Sequence, residues 1–475
     1  MIRLLRGAAH IGFAVLLAGY PAAPAHALTP PRVDTSRLPP PTPPAPPRPS
    51  VQRMACTVAA DIATVDPAAN PLASLHLESV WPTTRGDGQR VAVIDTGVAR
   101  HPRLPRLQPA GDYVADGDGT QDCDAHGTIV AGIIAATPDP ADPTGFSGVA
   151  PAAALLTIRQ SSTVFGPAED PDAGGMGDVE TMAAAVRTAA DLGATVINIS
   201  SVACSAGSLD DAALGAALAY AVDTRDAVVV TAAGNTGGLS GCPAQAMAPH
   251  LNWDSATVAV SPAWYDDYVL AVGSVAPDGT PSSFSLAGPW VDVAAPGERM
   301  VSLNPGGAGL TDALPGFSGA MPISGTSYAA PVVSGLAALI RSRFPELTAR
   351  QVMTRIETTA RKPAGGPNPV LGNGMIDALA ALGLPPVADG APPPNPEPPA
   401  TAAPPPDVGQ TPVRPEPTDG PRPQTVAMIG VLGCAGVLAV ALTVLNATAR
   451  LRQAEGRQNP ADGHRPEGEY QADRQ

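Results

Sequence analysis

Five short runs of apolar residues punctuate the middle of the chain, at 90–94, 154–158, 195–199, 227–231 and 268–273. None alternates apolar with polar positions, the pattern of a strand with one wet face. Near-continuous Val, Ile and Ala predict strands buried on both faces. Between and after them lie stretches with helical spacing, at 126–136, 178–192, 210–222, 326–343 and 348–360. Strands separated by helices predict an α/β fold, a parallel sheet covered by helices on both faces. In such sheets the groups that carry chemistry gather at the carboxyl ends of strands.

Two further apolar runs have a different character. Residues 11–19 follow Arg3 and Arg6 and precede Ala25-His26-Ala27. A positive start, a short apolar stretch and small residues predict a signal peptide cleaved after Ala27. Residues 426–445 carry no charge, and their length suits a bilayer core about 30 Å thick. Gly430, Gly433 and Gly436 would let another helix approach this span closely. Arg450, Arg452 and Arg457 follow it and suit the cytoplasmic side. The expected topology is single-pass in the cell membrane, with the bulk outside and a short tail inside.

Composition sharpens the boundaries. The 57 prolines of this 475-residue chain cluster at the flanks of a more ordinary centre. Residues 29–50 and 385–423 are proline-rich and read as extended segments. The expected organisation is a signal peptide (1–27), an N-terminal extension (28–80), a globular domain (81–384), a linker (385–424), a transmembrane helix (425–446) and a tail (447–475). The net charge of −15, with Lys362 as the single lysine, argues against nucleic acid, whose binding is driven by cationic side chains. Of the five cysteines, Cys434 falls in the apolar span. Cys56, Cys123, Cys204 and Cys242 form an even set in an exported segment and imply two disulfides, with three pairings open.

Four motifs carry candidate chemistry. Val91-Ala92-Val93-Ile94-Asp95-Thr96-Gly97 puts a carboxylate directly after a buried strand. Such a group stays ionised only where hydrogen bonds or a cationic partner compensate its lost hydration. Asp124-Ala125-His126-Gly127-Thr128 opens a helix with a histidine among small residues. His10 and His26 leave with the signal peptide and His464 lies in the tail, so His76, His101, His126 and His250 remain as possible bases. Ser324-Gly325-Thr326-Ser327-Tyr328-Ala329-Ala330-Pro331 places Ser327 at a helix start, where free N–H groups favour negative charge. Pro331 is read as falling in about the first turn, where its missing N–H costs little. Thr231-Ala232-Ala233-Gly234-Asn235 ends a strand with an amide able to donate to an oxyanion.

Singly, each motif has a plain structural reading as a turn, a cap or a core residue. Together, in the order Asp, His, Asn, Ser, they resemble the subtilisin-like serine proteases. Phe146-Ser147-Gly148-Val149-Ala150-Pro151 and Val291-Asp292-Val293-Ala294-Ala295-Pro296-Gly297 extend the resemblance over nearly the whole of 81–377. It implies a catalytic triad of Asp95, His126 and Ser327 and an oxyanion donor in Asn235. It also implies substrate-binding walls at Ser200-Ser201-Val202 and Ala232-Ala233-Gly234. Neither wall bears a charge, so an uncharged residue is expected before the scissile bond. The triad requires no metal or organic cofactor, and no acidic run maps to a calcium site. A lipid esterase is disfavoured, because Ser327 lacks a G-x-S-x-G elbow and the triad order differs.

The flanking segments narrow the resemblance to the mycosins, membrane-anchored subtilisin-like proteases of type VII secretion systems. It implies that Cys56 pairs with Cys123 and Cys204 with Cys242, and that the extension is retained around the domain. It further implies exported protein substrates and a membrane secretion complex as partner, to which the chain contributes as protease, scaffold or both. Residues 164–178 read as an irregular surface insertion.

Overall fold

The structure is a computed structural model that describes residues 28, 31–62, 71–142, 144–237, 241–245, 251–307, 309–316 and 319–386. The expected signal peptide, nearly all of the expected linker, and the transmembrane helix and tail expected at 425–446 and 447–475 lie outside the described residues. Among the described residues no helix is long and apolar enough to cross a membrane.

Seven strands form the central sheet: β1 (Arg90–Asp95), β2 (Leu107–Asp112), β3 (Ala154–Arg159), β4 (Val196–Ile199), β5 (Val228–Ala232), β6 (Leu270–Val275) and β7 (Val293–Pro296). Their spatial order is β7-β6-β5-β4-β1-β3-β2, with every pairing parallel. The chain therefore changes direction across the sheet at β1, which lies between β3 and β4. A switch of this kind opens a crevice at the carboxyl ends of the strands.

Five helices flank the sheet: α1 (His126–Ala135), α2 (Val179–Asp191), α3 (Ala212–Ala219), α4 (Thr326–Arg343) and α5 (Ala349–Thr359). α1 packs with α4 and α2 with α3, and each pair also touches the sheet. Asp178 and Thr348 start α2 and α5 with reciprocal capping bonds to Thr181 and Gln351. α3 gives way after Ala219 to a wider turn over Tyr220–Thr224, so the helix expected at 210–222 is not uniform. α4 is buried almost throughout and crosses β4, β5, β6 and β7.

Three features differ from the sequence reading. β2 and β7 join the expected five strands at the sheet edges. Pro331 is the sixth residue of α4, beyond the first turn, so its missing N–H removes the bond to the Ser327 carbonyl. The supposed irregular insertion at 164–178 holds a strand, Phe165–Pro167, paired antiparallel with Ser50–Gln52 of the extension. Arg53 reinforces that pairing by donating to the carbonyls of Pro167, Asp170 and Ala173.

The packed body also begins before residue 81. Leu72, Leu75, Leu77 and Val80 are part of the main core, and Leu28, Val33, Leu38 and Ile62 pack against it. Cys56 is bonded to Cys123, in the loop before α1, and Cys204 to Cys242.

Candidate active site

Asp95 is the last residue of β1 and is 2% exposed. Its Oδ1 accepts the Thr96 backbone N–H at 2.8 Å and lies 2.7 Å from His126 Nδ1. His126 is the first residue of α1, with its side chain 25% exposed. Gly127 explains how the two meet. A side chain there would stand 2.0 Å from the Gly97 carbonyl, so only glycine lets the start of α1 touch the turn after Asp95.

Asp122 binds the same turn to the same helix. Its carboxylate accepts Thr96 Oγ1–H at 2.9 Å, the Ala125 N–H at 2.8 Å, the Thr128 N–H at 2.8 Å and Thr128 Oγ1–H at 2.6 Å. Burial pushes this carboxyl up to about 6, and the charge of Asp95 adds to that against the pull of its donors. Asp124 accepts from Ser162 Oγ at 2.5 Å and from the N–H and hydroxyl of Thr163 at 2.7 Å each, fixing the loop beside α1. Asp95 touches the imidazole, and the charges of Asp122 and Asp124 act on it from the neighbouring loop. Burial, the largest influence on it, pulls its pKa down. The charge and hydrogen bond of Asp95, then the charges of Asp122 and Asp124, outweigh that pull and leave it raised above 6.5.

Ser327 is the second residue of α4 and is partly exposed. The ring of its neighbour Tyr328 lies against the imidazole, with centroids 5.0 Å apart, which sets the first turn of α4 beside His126. The Ser327 hydroxyl is not hydrogen-bonded to His126 here; such bonds are often long without substrate and tighten in the complex. Asn235 approaches from the other side. Its Oδ1 accepts the Thr326 N–H at 2.9 Å and the Thr326 hydroxyl at 3.1 Å. With the oxygen committed, Nδ2 is the end left to donate. A side chain on Gly325 would stand 3.0 Å from Ser327 Oγ and 3.6 Å from Asn235 Nδ2, so these two atoms border one small space. The left-handed residue of this turn is Gly234, at φ +103°, and not Asn235.

The two expected walls leave the sheet side by side, because β4 and β5 are neighbours. Ser200–Val202 follows β4, and Ala232–Gly234 spans the end of β5. Beyond Ser201 and Val202 lies a cleft of about 180 Å³ bordered by Val179, Met182 and Leu214. All six wall residues, Asp95, His126, Asn235 and Ser327 therefore stand at the carboxyl side of the sheet. Among the described residues no group of three or more His, Cys, Asp or Glu is arranged to hold a metal ion. The sequence reading missed Asp122. Its one signal is an aspartate shortly before a helix start, the pattern of a residue that caps free N–H groups.

A parallel sheet that switches at β1, with an Asp–His pair at the switch and a serine at a helix start opposite an amide, has a clear family. Residues 86–374 match the subtilase family, and the chain belongs to it; it is a subtilisin-like serine protease. Its relatives include the mycosins. It is 58% identical to Mycosin-4 of Mycobacterium tuberculosis (strain ATCC 25618 / H37Rv) over 90% of this chain and 92% of the relative. The solved MycP3 protease from the type VII (ESX-3) secretion system is 47% identical, covers 75% of this chain and 99% of its own, and has a TM-score of 0.69. A chain of the intact ESX-5 inner membrane complex is 40% identical over 89% of this chain and all of its own, also at a TM-score of 0.69.

Proposed function

We propose that this chain is a membrane-anchored, extracytoplasmic serine endopeptidase of a type VII secretion system, with Asp95, His126 and Ser327 as its triad. The observation that carries the chemistry is the 2.7 Å Asp95–His126 contact beside the space shared by Ser327 Oγ and Asn235 Nδ2. In the proposed reaction His126 Nε2 takes the proton of Ser327 as the hydroxyl attacks the scissile carbonyl. Asp95 holds Nδ1–H and stabilises the imidazolium without taking the proton. The carbonyl oxygen, now an anion, receives the Asn235 Nδ2–H and the Ser327 backbone N–H, and such a donor is worth about 3–4 kcal/mol in the transition state. His126 then protonates the leaving amine, and water releases the acyl group by the same steps in reverse. No step requires a metal or organic cofactor.

Ser200–Val202 would pair with the substrate backbone as an added strand, with Ala232–Gly234 as the facing wall. The uncharged walls suit an uncharged P1 residue, the one before the scissile bond, and the cleft beyond Val202 suits a second apolar side chain. A signal peptide at 1–27, a span at 425–446 and a cytoplasmic tail at 447–475 would place this site outside the membrane, where exported proteins pass.

A second role has its own support. The likeness to a chain within the ESX-5 inner membrane complex favours a structural part in such an assembly. One pair of experiments separates the roles. A fluorophosphonate probe labels the detergent-solubilised chain and leaves Ser327→Ala unlabelled; absence of labelling in both counts against the protease role. Secretion that survives Ser327→Ala but fails on deletion of the gene makes the scaffold role dominant.

A further inference from the structure

The β4–β5 ladder ends at the Ile199–Thr231 pair, one residue short of Ser200 and Ala232. Beyond that point no rung of this ladder ties one recognition wall to the other. A covalent bond does so instead. Cys204 stands two residues after Val202, in the strand Ala203–Ser205 that pairs with Ala259–Ser261. Cys242 is buried, and its N–H donates to the carbonyl of Asn235 at 2.8 Å. Its Sγ lies 3.2 Å from where a side chain on Gly234 would stand. The bond between these cysteines closes a span of 38 residues.

The second wall is held from behind as well. Trp290 is fully buried and donates its indole N–H to the Ala233 carbonyl at 3.1 Å. The Leu286 N–H donates to the Gly234 carbonyl at 3.0 Å. Ala233, Cys242, Leu286 and Trp290 belong to a small apolar cluster separate from the main core, and Val202 and Cys204 pack against it.

We propose that the Cys204–Cys242 disulfide, backed by Trp290, is a positioning element of the P1 site, clipping its two walls together and holding Asn235 in place as oxyanion donor. This rests on the protease reading above. A wall displaced by 1 Å misaligns the scissile carbonyl with Ser327, and misplacement of that size costs up to about a hundredfold in rate. The Cys56–Cys123 bond is the natural control. It spans 67 residues and joins the extension to the loop before α1, and neither of its cysteines adjoins a wall residue in the chain.

The test uses the solubilised full chain and peptides differing only at P1 (Ala, Leu or Phe). In Cys204→Ser/Cys242→Ser, kcat should fall about tenfold or more, and the best-to-worst ratio of kcat/KM across the peptides should shrink by a similar factor. Cys56→Ser/Cys123→Ser should keep that ratio within about twofold, whatever happens to its melting temperature. Trp290→Phe, which removes the N–H but keeps an aromatic ring, should shrink the ratio too and covers the case in which the first variant does not fold. An unchanged ratio in Trp290→Phe, or in a folded Cys204→Ser/Cys242→Ser, overturns the proposal. So do equal losses in both disulfide variants, or a flat P1 profile in the unmodified chain. Failure of the unmodified chain to react with the fluorophosphonate probe is a different result, and it overturns the protease reading on which the proposal stands.

Discussion

The two sides of the active site rest on different foundations. Asp95, His126 and Ser327 sit on β1, α1 and α4, three elements buried in the main core. Asn235 and the two proposed substrate walls sit at and just beyond the ends of β4 and β5. They are backed by a small separate cluster, one disulfide and single hydrogen bonds from Trp290 and Leu286. The catalytic side therefore shares the stability of the whole fold. The recognition side depends on a few local ties, each replaceable without dismantling the sheet. Loops carry specificity and change easily for this reason.

The largest effect should come from the catalytic side. Ser327→Ala should lower peptide hydrolysis by about 10⁶-fold while its melting temperature stays close to that of the unmodified chain, because among the described residues the hydroxyl makes no hydrogen bond. Residual turnover within tenfold of the unmodified chain would place the nucleophile elsewhere.

On the recognition side, Asn235→Asp should reduce kcat by about 10²–10³-fold. It keeps an oxygen for the Thr326 N–H and hydroxyl and removes the Nδ2 donor. Folding should survive and catalysis should not. Equal loss of kcat and melting temperature would show that Asn235 matters chiefly as a cap for α4.

A smaller effect concerns the link within the catalytic side. His126 is raised above 6.5, and it must be neutral to accept the serine proton. Activity should fall as pH drops through that raised value, so the acid limb of kcat/KM should lie above 6.5. A flat profile from pH 5 to 8 would contradict His126 as base. Asp122→Asn removes a negative charge that favours the imidazolium, so its limb should move to lower pH, with kcat reduced about tenfold. A limb that stays fixed, or moves up, would separate Asp122 from the imidazole.

The smallest effects on rate should divide the two cores. Ile94→Ala in β1 should cost about 2–5 kcal/mol of stability and leave the P1 preference unchanged. Leu286→Ala removes a side chain packed against the Gly234 turn and should alter the P1 preference more than the melting temperature. Denaturant unfolding and the P1 peptide series would read both. The reverse assignment would dissolve the distinction between the cores.

Much of the catalytic side was legible in the residues. Five sheet strands were readable because they are buried on both faces, and α4 because its small and apolar residues run unbroken from Thr326. The edge strands were not. β2 contains Pro109 and Gly111 with a register shift between them, and only two of its six positions are buried. Phe165–Pro167 looks like loop because its partner, Ser50–Gln52, lies more than a hundred residues upstream. Asp122 was hidden among Asp116, Asp118 and Asp124, since nothing in an acidic turn marks the carboxylate that ties the Thr96 turn to the start of α1.

The sequence by itself determined the order and spacing of the proposed catalytic residues, most of the elements that carry them and the family. These follow from local pattern, which one segment can express alone. Only the tertiary structure decided which way the Asn235 amide points, that the charges of three carboxylates act on His126, and that Trp290 and Cys242 stand behind the proposed substrate wall. Apart from the nearness of Asp122 and Asp124 to His126, which is local, each of those is a contact between segments far apart in the chain. Such a contact exists only once the sheet has brought its strand ends together.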